Sequence, residues 1–142
     1  MLVKLLPNQI SERWDLIKFA IQESTPEITE YGIVVILENL LCDIMQCWLE
    51  VEEHNGTIKL LGVMVTSVYV DSFFQQNVLR ICVLYTYTDL PMHIWGASLE
   101  SLRNYARGRE CYKIEAFTDR AEFDALMKHL GGKFTYHLSL EV

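Results

Sequence analysis

The sequence predicts a single α/β domain with a mixed, mostly antiparallel sheet around one parallel strand–loop–helix–strand unit. Three observations carry this reading. First, the β-branched and aromatic run 78–86 leads through a polar loop to Trp95, Leu99, Leu102 and Ala106 at spacings 4, 3, 4, and then to a second apolar run, 111–117. A strand, a helix of about four turns and a strand imply a crossover between parallel strands, right-handed by the general rule. Second, Asn55-Gly56 separates the strand-like stretches 45–53 and 58–70, and Asn-Gly supplies the positive φ angles of a two-residue hairpin. Third, helical spacing precedes the hairpin twice and follows the crossover once, so residues 1–142 read β-α-α-β-β-β-α-β-α-β with no linker and no repeat.

Taken in order, residues 2–6 form a short strand ended by Pro7. A helix over 11–22 has Ile10, Trp14, Ile17 and Ile21 on one face and Glu12, Arg13, Asp15 and Lys18 outside. A second helix over 26–41 starts at Thr25-Pro26, a good N-cap with proline in the first position, and its first turns carry Glu27 and Glu30. The hairpin follows, and Gly62 in its second strand marks a bulge or a close backbone approach. Thr88 or Asp89 is the candidate N-cap of the crossover helix, Pro91 falls in its first turn and Gly108 stops it. Thr118-Asp119 caps a short helix with Phe123, Leu126, Met127 and Leu130 on its buried face, and Gly131-Gly132 ends it. A closing strand spans 133–142, alternating Phe134, Tyr136, Leu138 and Leu140 with polar residues.

Composition removes several function classes. With 51% hydrophobic residues and a mean hydropathy of +0.14, the chain can bury one substantial core and is not disordered. A net charge of −7 argues against nucleic acid and against anionic membrane. No stretch approaches the roughly 18 uninterrupted apolar residues of a membrane span. The opening MLVKLLPNQISERW lacks a signal-peptide cleavage pattern, so secretion by that route is not expected. Cys42, Cys47, Cys82 and Cys111 show no C-x-x-C spacing and read as buried reduced thiols. His54, His129 and His137 sit on different elements, which leaves no metal site to expect.

The remaining polar and aromatic residues have competing readings. Trp95 is a ligand platform or the first core residue of its helix, and His93 is a base, a phosphate contact or a loop histidine. Arg103, Arg107, Arg109 and Lys113 meet a phosphate or complement a helix C-terminus in solvent; Glu50, Glu52 and Glu53 hold an amine or form a solvated strand face. Phe73 and Phe74 lie in the loop 71–77, where one is exposed as a contact for a protein partner or a second copy, or both cap the core.

This element order resembles the general N-acetyltransferase (GNAT) fold over nearly the whole chain. The segment from Phe123 to Phe134, FDALMKHLGGKF, is similar to that family's short helix, glycine, aromatic and final strand. Leu102-Arg103-Asn104-Tyr105-Ala106-Arg107 and Cys111-Tyr112-Lys113-Ile114 resemble its helix end and next strand. Active members carry Gln/Arg-x-x-Gly-x-Gly/Ala in the central loop, where backbone N–H groups at a helix N-terminus hold the pyrophosphate of acetyl-CoA. Counted back from Ala106, these positions fall on Leu90, His93 and Trp95; a one-residue slip gives Pro91, Ile94 and Gly96. Neither register restores the motif. The tyrosine acid of the family falls on Met127 and its asparagine on Arg120, while Glu50, Glu52 and His93 stay equal candidates for a base.

LPMHIWGASLESLRNYARGRECYKIEAF also resembles GNAT-like virion and internal-core proteins of short-tailed bacteriophages. The resemblance implies a non-catalytic scaffold without a cofactor, working through a protein partner or self-association in a virion or bacterial host cytoplasm. The alternative it implies is an acyl-CoA-dependent N-acetyltransferase, with acetyl-CoA held by Tyr85, Thr86, His93, Ile94, Trp95 and Gly96.

Overall fold

The computed structural model describes residues 1–118, 122–133, 135 and 138–142. Their elements run β1 (Leu2–Lys4), α1 (Pro7–Glu12), α2 (Trp14–Ser24), α3 (Glu30–Leu41), β2 (Met45–His54), β3 (Thr57–Asp71), β4 (Gln76–Thr86), α4 (Met92–Gly108), β5 (Cys111–Ala116) and α5 (Glu122–His129). One sheet holds β1 to β5 in sequence order. Its first three pairings are antiparallel, and β4 pairs with β5 in parallel across the α4 crossover. The α/β class and the central parallel unit are those the sequence predicts.

The sheet is covered on both faces because its central strands are apolar at successive positions, not only at alternate ones. Cys47, Leu49, Val63 and Val65 pack with Ile17 and Ile21 of α2 and Ile33 and Leu40 of α3. The residues between them, Trp48 and Met64, point the other way and join Leu79 beneath Leu102 and Ala106 of α4. The result is a helix–sheet–helix sandwich. Polar groups on the α4 face are paired: Trp48 Nε1–H donates to Thr66 Oγ1 at 2.9 Å, Thr66 donates to Gln46 Oε1 at 3.0 Å, and Gln46 Nε2 donates to the Asp43 carbonyl at 3.0 Å.

Several element ends differ from the sequence reading. The first helix begins four residues earlier than predicted, on Pro7, and is broken at Arg13 (φ −112°, ψ 17°) into α1 and α2. The second starts at Glu30: residues 25–28 close a turn through Ile28 N–H to the Thr25 carbonyl (3.0 Å), and Thr29, not Thr25, caps the helix by accepting from Gly32 N–H at 3.0 Å. Pro91 itself, extended at φ −61° and ψ 153°, is the N-cap of α4, displacing Thr88 and Asp89. Gly108 is helical; the left-handed residue beyond α4 is Glu110 (φ 56°). Asn55 and Gly56 both take positive φ, 51° and 77°, as the hairpin requires. Asp119, Arg120, Phe134, Tyr136 and His137 lie outside the described residues, and the described residues between 133 and 142 carry no strand.

Gly62 is a close approach. A Cβ there would stand 2.8 Å from the Tyr85 carbonyl oxygen of β4, and the register of β2 shifts directly opposite, between Glu50 and Val51. Gly62→Ala is therefore expected to cost about 2 kcal/mol by forcing β3 and β4 apart, read as a fall in the urea midpoint with an unchanged slope. A neutral result would mean that the strands separate freely at this point.

The cysteines divide by exposure. Cys42 and Cys82 are exposed, against the expectation of four buried thiols, whereas Cys47 is buried and its thiol is pushed up to about 12 by that burial. Thiolate is the reactive form. Iodoacetamide at pH 8 is expected to label Cys42 and Cys82 in the native protein and Cys47 only after unfolding. Native labelling of Cys47 would show that β2 opens locally. Among the described residues, no helix is long and apolar enough to cross a membrane and no three His, Cys, Asp or Glu residues form a metal-binding group.

Candidate functional site

The two parallel strands run together only in part. β4 pairs with β5 from Asn77 to Ile81, then continues to Thr86 without β5. At the same point β4 bulges on its other side: Thr66 pairs with Ile81 and Val65 with Val83, which leaves Cys82 unmatched. A bulge bends a strand and re-aims its side chains. Residues 82–86 thus carry an edge that β5 does not cover, beside the loop that enters α4.

A row of paired residues leads to this end of the sheet: Leu2 opposite Glu50, Glu50 opposite Gly62, and Gly62 opposite Thr86. Because Gly62 has no side chain, a cleft forms over it, walled by Glu50, Met64, Leu84, Thr86, Trp95 and Ser98. Its free space is about 10 Å³, room for one water molecule. Glu50 is only 6% exposed, which corrects its assignment to a solvated strand face. It accepts a short hydrogen bond from the Ser98 hydroxyl and one from the Met1 amino group at 2.5 Å. Ser98 also donates to the Ile94 carbonyl at 2.9 Å. Of the three candidate bases, Glu50 alone lines the cleft; Glu52 and His93 are exposed.

The start of α4 faces this region. No side chain caps it, so its first-turn N–H groups lack a side-chain acceptor. Ile94 and Trp95 N–H both reach the Pro91 carbonyl, at 3.1 and 3.3 Å. Gly96 has open space where a Cβ would stand. Trp95 is half-buried, its indole edge-on to Phe123 of α5 at 5.5 Å between ring centroids. The deeply buried residues of α4 are Ser98, Leu102 and Ala106. Met127, half-buried on α5, offers a thioether that has no proton to give.

On the opposite side of the same strand end lies a second, open groove. Glu23 and Ser24 from the end of α2, Tyr87, Thr88 and Asp89 from the loop, and residues 84–86 of β4 line it. Ser24 Oγ donates to the Leu84 carbonyl at 3.4 Å. Tyr85 stands edge-on to both Phe19 (5.8 Å) and Tyr87 (5.0 Å). Burial, and then the neighbouring Tyr85, push the Tyr87 phenol above its ordinary range, so it stays a donor at neutral pH. Sequence reasoning placed Tyr85, Thr86, His93, Ile94, Trp95 and Gly96 near the central loop. It did not find Ser98 or Glu23, placed Tyr87 only as the start of the central loop, and gave Asp89 only as a candidate helix cap.

The other sequence candidates lie elsewhere. Phe73 and Phe74 are both exposed, at 86% and 58%, on the turn between β3 and β4, with Phe74 6.1 Å from the Tyr112 ring. The Asp71 carboxylate shapes that turn by accepting from Phe73 and Phe74 N–H at 2.9 and 3.2 Å, and these amides hold it below the usual carboxylate range. The basic cluster is paired: Arg103 and Arg107 with Glu100, Arg109 with the Tyr105 hydroxyl and Asp43, and Lys113 with Glu115.

No family model matches this sequence, and no curated protein matches it. Solved structures do match its fold. A predicted acetyltransferase of Clostridium acetobutylicum, solved with acetyl-CoA, superposes with a TM-score of 0.70 at 18% identity, over 99% of this chain and 95% of its own. An aminoglycoside acetyltransferase from an uncultured soil metagenomic sample gives 0.69 at 16% identity, over 100% and 97%. The aminoglycoside N-acetyltransferase AAC(6')-Iy in complex with CoA gives 0.69 at 11%, over 100% and 93%. The fold of this chain is accordingly GNAT-like.

Proposed function

We propose that this chain binds an acyl-CoA at the end of β4 and transfers its acyl group to an amine. The observation that carries this reading is the pairing of an uncovered β4 edge, residues 82–86, with an uncapped α4 N-terminus in one small region. A helix N-terminus favours phosphate through its free N–H groups and its dipole, whatever the side chains. The chain fits such a ligand at the phosphate end, where Met92 and His93 begin the first turn and Gly96, in the next turn, adds no bulk. It is narrow at the other end, where Trp95 is one wall of a cleft with about 10 Å³ free.

When bound, acyl-CoA supplies an activated thioester carbonyl. Tyr85 and Thr86 end the strand that separates cleft from groove. The acids Glu23 and Asp89 accept a proton on the groove side, and the Tyr87 hydroxyl is a proton donor there. Glu50 is engaged by Ser98 and Met1, which makes it a brace between β2 and α4 in this reading.

The test is calorimetric titration with acetyl-CoA and with CoA. A Kd near 10 μM, about −7 kcal/mol, and release of free thiol on adding an amine would support the reading. No heat up to millimolar ligand, with an unchanged Tm, would overturn it. That result would favour a second reading, a non-catalytic interaction protein of the kind the phage resemblance implies. Its supporting observations are the Trp95–Phe123 contact, which holds the indole at the cleft wall, and a methionine at the family's acid position.

A further inference from the structure

We propose that the groove on the α2 side of residues 84–86 receives the acceptor and selects an amine that carries a second positive charge, such as a diamine. This inference rests on the acyl-transfer reading. Leu84, Tyr85 and Thr86 wall both the cleft over Gly62 and this groove, so the two depressions meet across a single strand. The groove offers about 720 Å³ of open space, ample for a short polyamine.

Its electrostatics have one sign. Among the described residues, Glu23 and Asp89 are the charged ones that line it, and no lysine, arginine or histidine does. The last turn of α2 ends at Glu23 and Ser24 without a basic residue, so its carbonyl end adds negative potential. Tyr85 and Tyr87, edge-on to each other at 5.0 Å, both line the groove, and an aromatic ring attracts an ammonium over its face. The net charge of −7 steers cations towards the molecule from further away. A diamine uses both halves of this arrangement: one ammonium is held by the carboxylates while the other nitrogen, neutral, reaches the strand end. In the transfer a C–N bond forms, the thioester C–S bond breaks, and the one proton that the nitrogen sheds is balanced by the one that the thiolate gains.

The test titrates 1,4-diaminobutane, 1-aminobutane and 4-aminobutanoate into the full chain and into the E23Q/D89N variant, with and without CoA. In parallel, thiol release from acetyl-CoA is followed with each amine. The diamine is expected to bind at least tenfold more tightly than the monoamine, with the anionic amine weakest, and the preference is expected to collapse below threefold in E23Q/D89N. Thiol release should rank the amines in the same order. Equal binding of diamine and monoamine, or a preference that survives in E23Q/D89N, would overturn the inference whether or not acetyl-CoA binds. Diamine-selective binding without acetyl-CoA binding would instead sink the acyl-transfer reading and leave the groove as a cation site.

Discussion

Leu102→Ala is expected to lower the melting temperature by roughly 10 °C, the largest effect of any single truncation on the α4 side of the sheet. Leu102 is fully buried and packs with Trp48, Met64, Leu79 and Ala106. That cluster is much smaller than the one beneath α2 and α3. Removing a leucine from it leaves a cavity that few neighbours can close, at a cost of about 3–4 kcal/mol. The loss bears on the site because α4 is tied to the sheet by this contact and by Ser98 to Glu50 one turn earlier. Differential scanning calorimetry gives the stability, and titration with acetyl-CoA at 10 °C gives the site. Weaker binding in a variant that is still folded would show that the α4 anchor positions its N-terminus. A fall below about 1 kcal/mol would mean that α4 packs more loosely than the geometry shows.

The fold was legible because its signals are redundant. Cys47-Trp48-Leu49 and Val63-Met64-Val65 are apolar at consecutive positions, which is what a strand covered on both faces must be. Asn55-Gly56 admits one turn type, and the 95–99–102–106 spacing admits one helix. Helix ends were read less well, because several residues compete for one role. Thr25 and Thr29 both suit an N-cap; Thr29 takes the role, and Ile28 before it packs against the core. Glu110, which has no sequence signature for a left-handed residue, takes the position that Gly108 was expected to supply.

The site was less legible for a different reason. Ser98 is a polar residue on a buried face, and a reading based on apolar spacing passes over it; Glu50 was named as one of three candidate bases, but nothing in its spacing showed that it is buried. Each is satisfied by the other, 48 residues away in sequence, and no local pattern announces such a pair. Ser98, four residues before Leu102 and eight before Ala106, was nonetheless at the centre of the α4 face; a small residue at that spacing was the available signal. Glu23 and Asp89 are 66 residues apart in sequence and line one groove only because α2 lies across the end of β4. The loop itself was informative in the negative: it lacks the glycines of the family motif, and the structure places Trp95 in the cleft wall against Phe123.

Trp95→Ala is expected to destabilise the chain while tightening acyl-CoA binding, a pairing of effects that a passive core residue does not give. The indole is half-buried and makes an edge-to-face contact with Phe123, so its loss should cost about 2 kcal/mol of stability. The indole also walls a cleft in which only about 10 Å³ is free, too little for a pantetheine arm. Entry of the arm then requires the indole to leave Phe123, and the roughly 0.5–1.5 kcal/mol of that contact is subtracted from the binding free energy. The alanine variant carries no such cost, so its Kd for acetyl-CoA should fall about two- to tenfold. Phe123→Ala should give a similar gain by freeing the indole, and the double variant should gain little more than either alone, since both substitutions remove one interaction. Additive gains would show that the two rings act separately. Weaker binding in Trp95→Ala would make the indole a contact of the ligand and would identify the cleft as already open to it. Unchanged binding in both single variants would place the acyl arm elsewhere on β4.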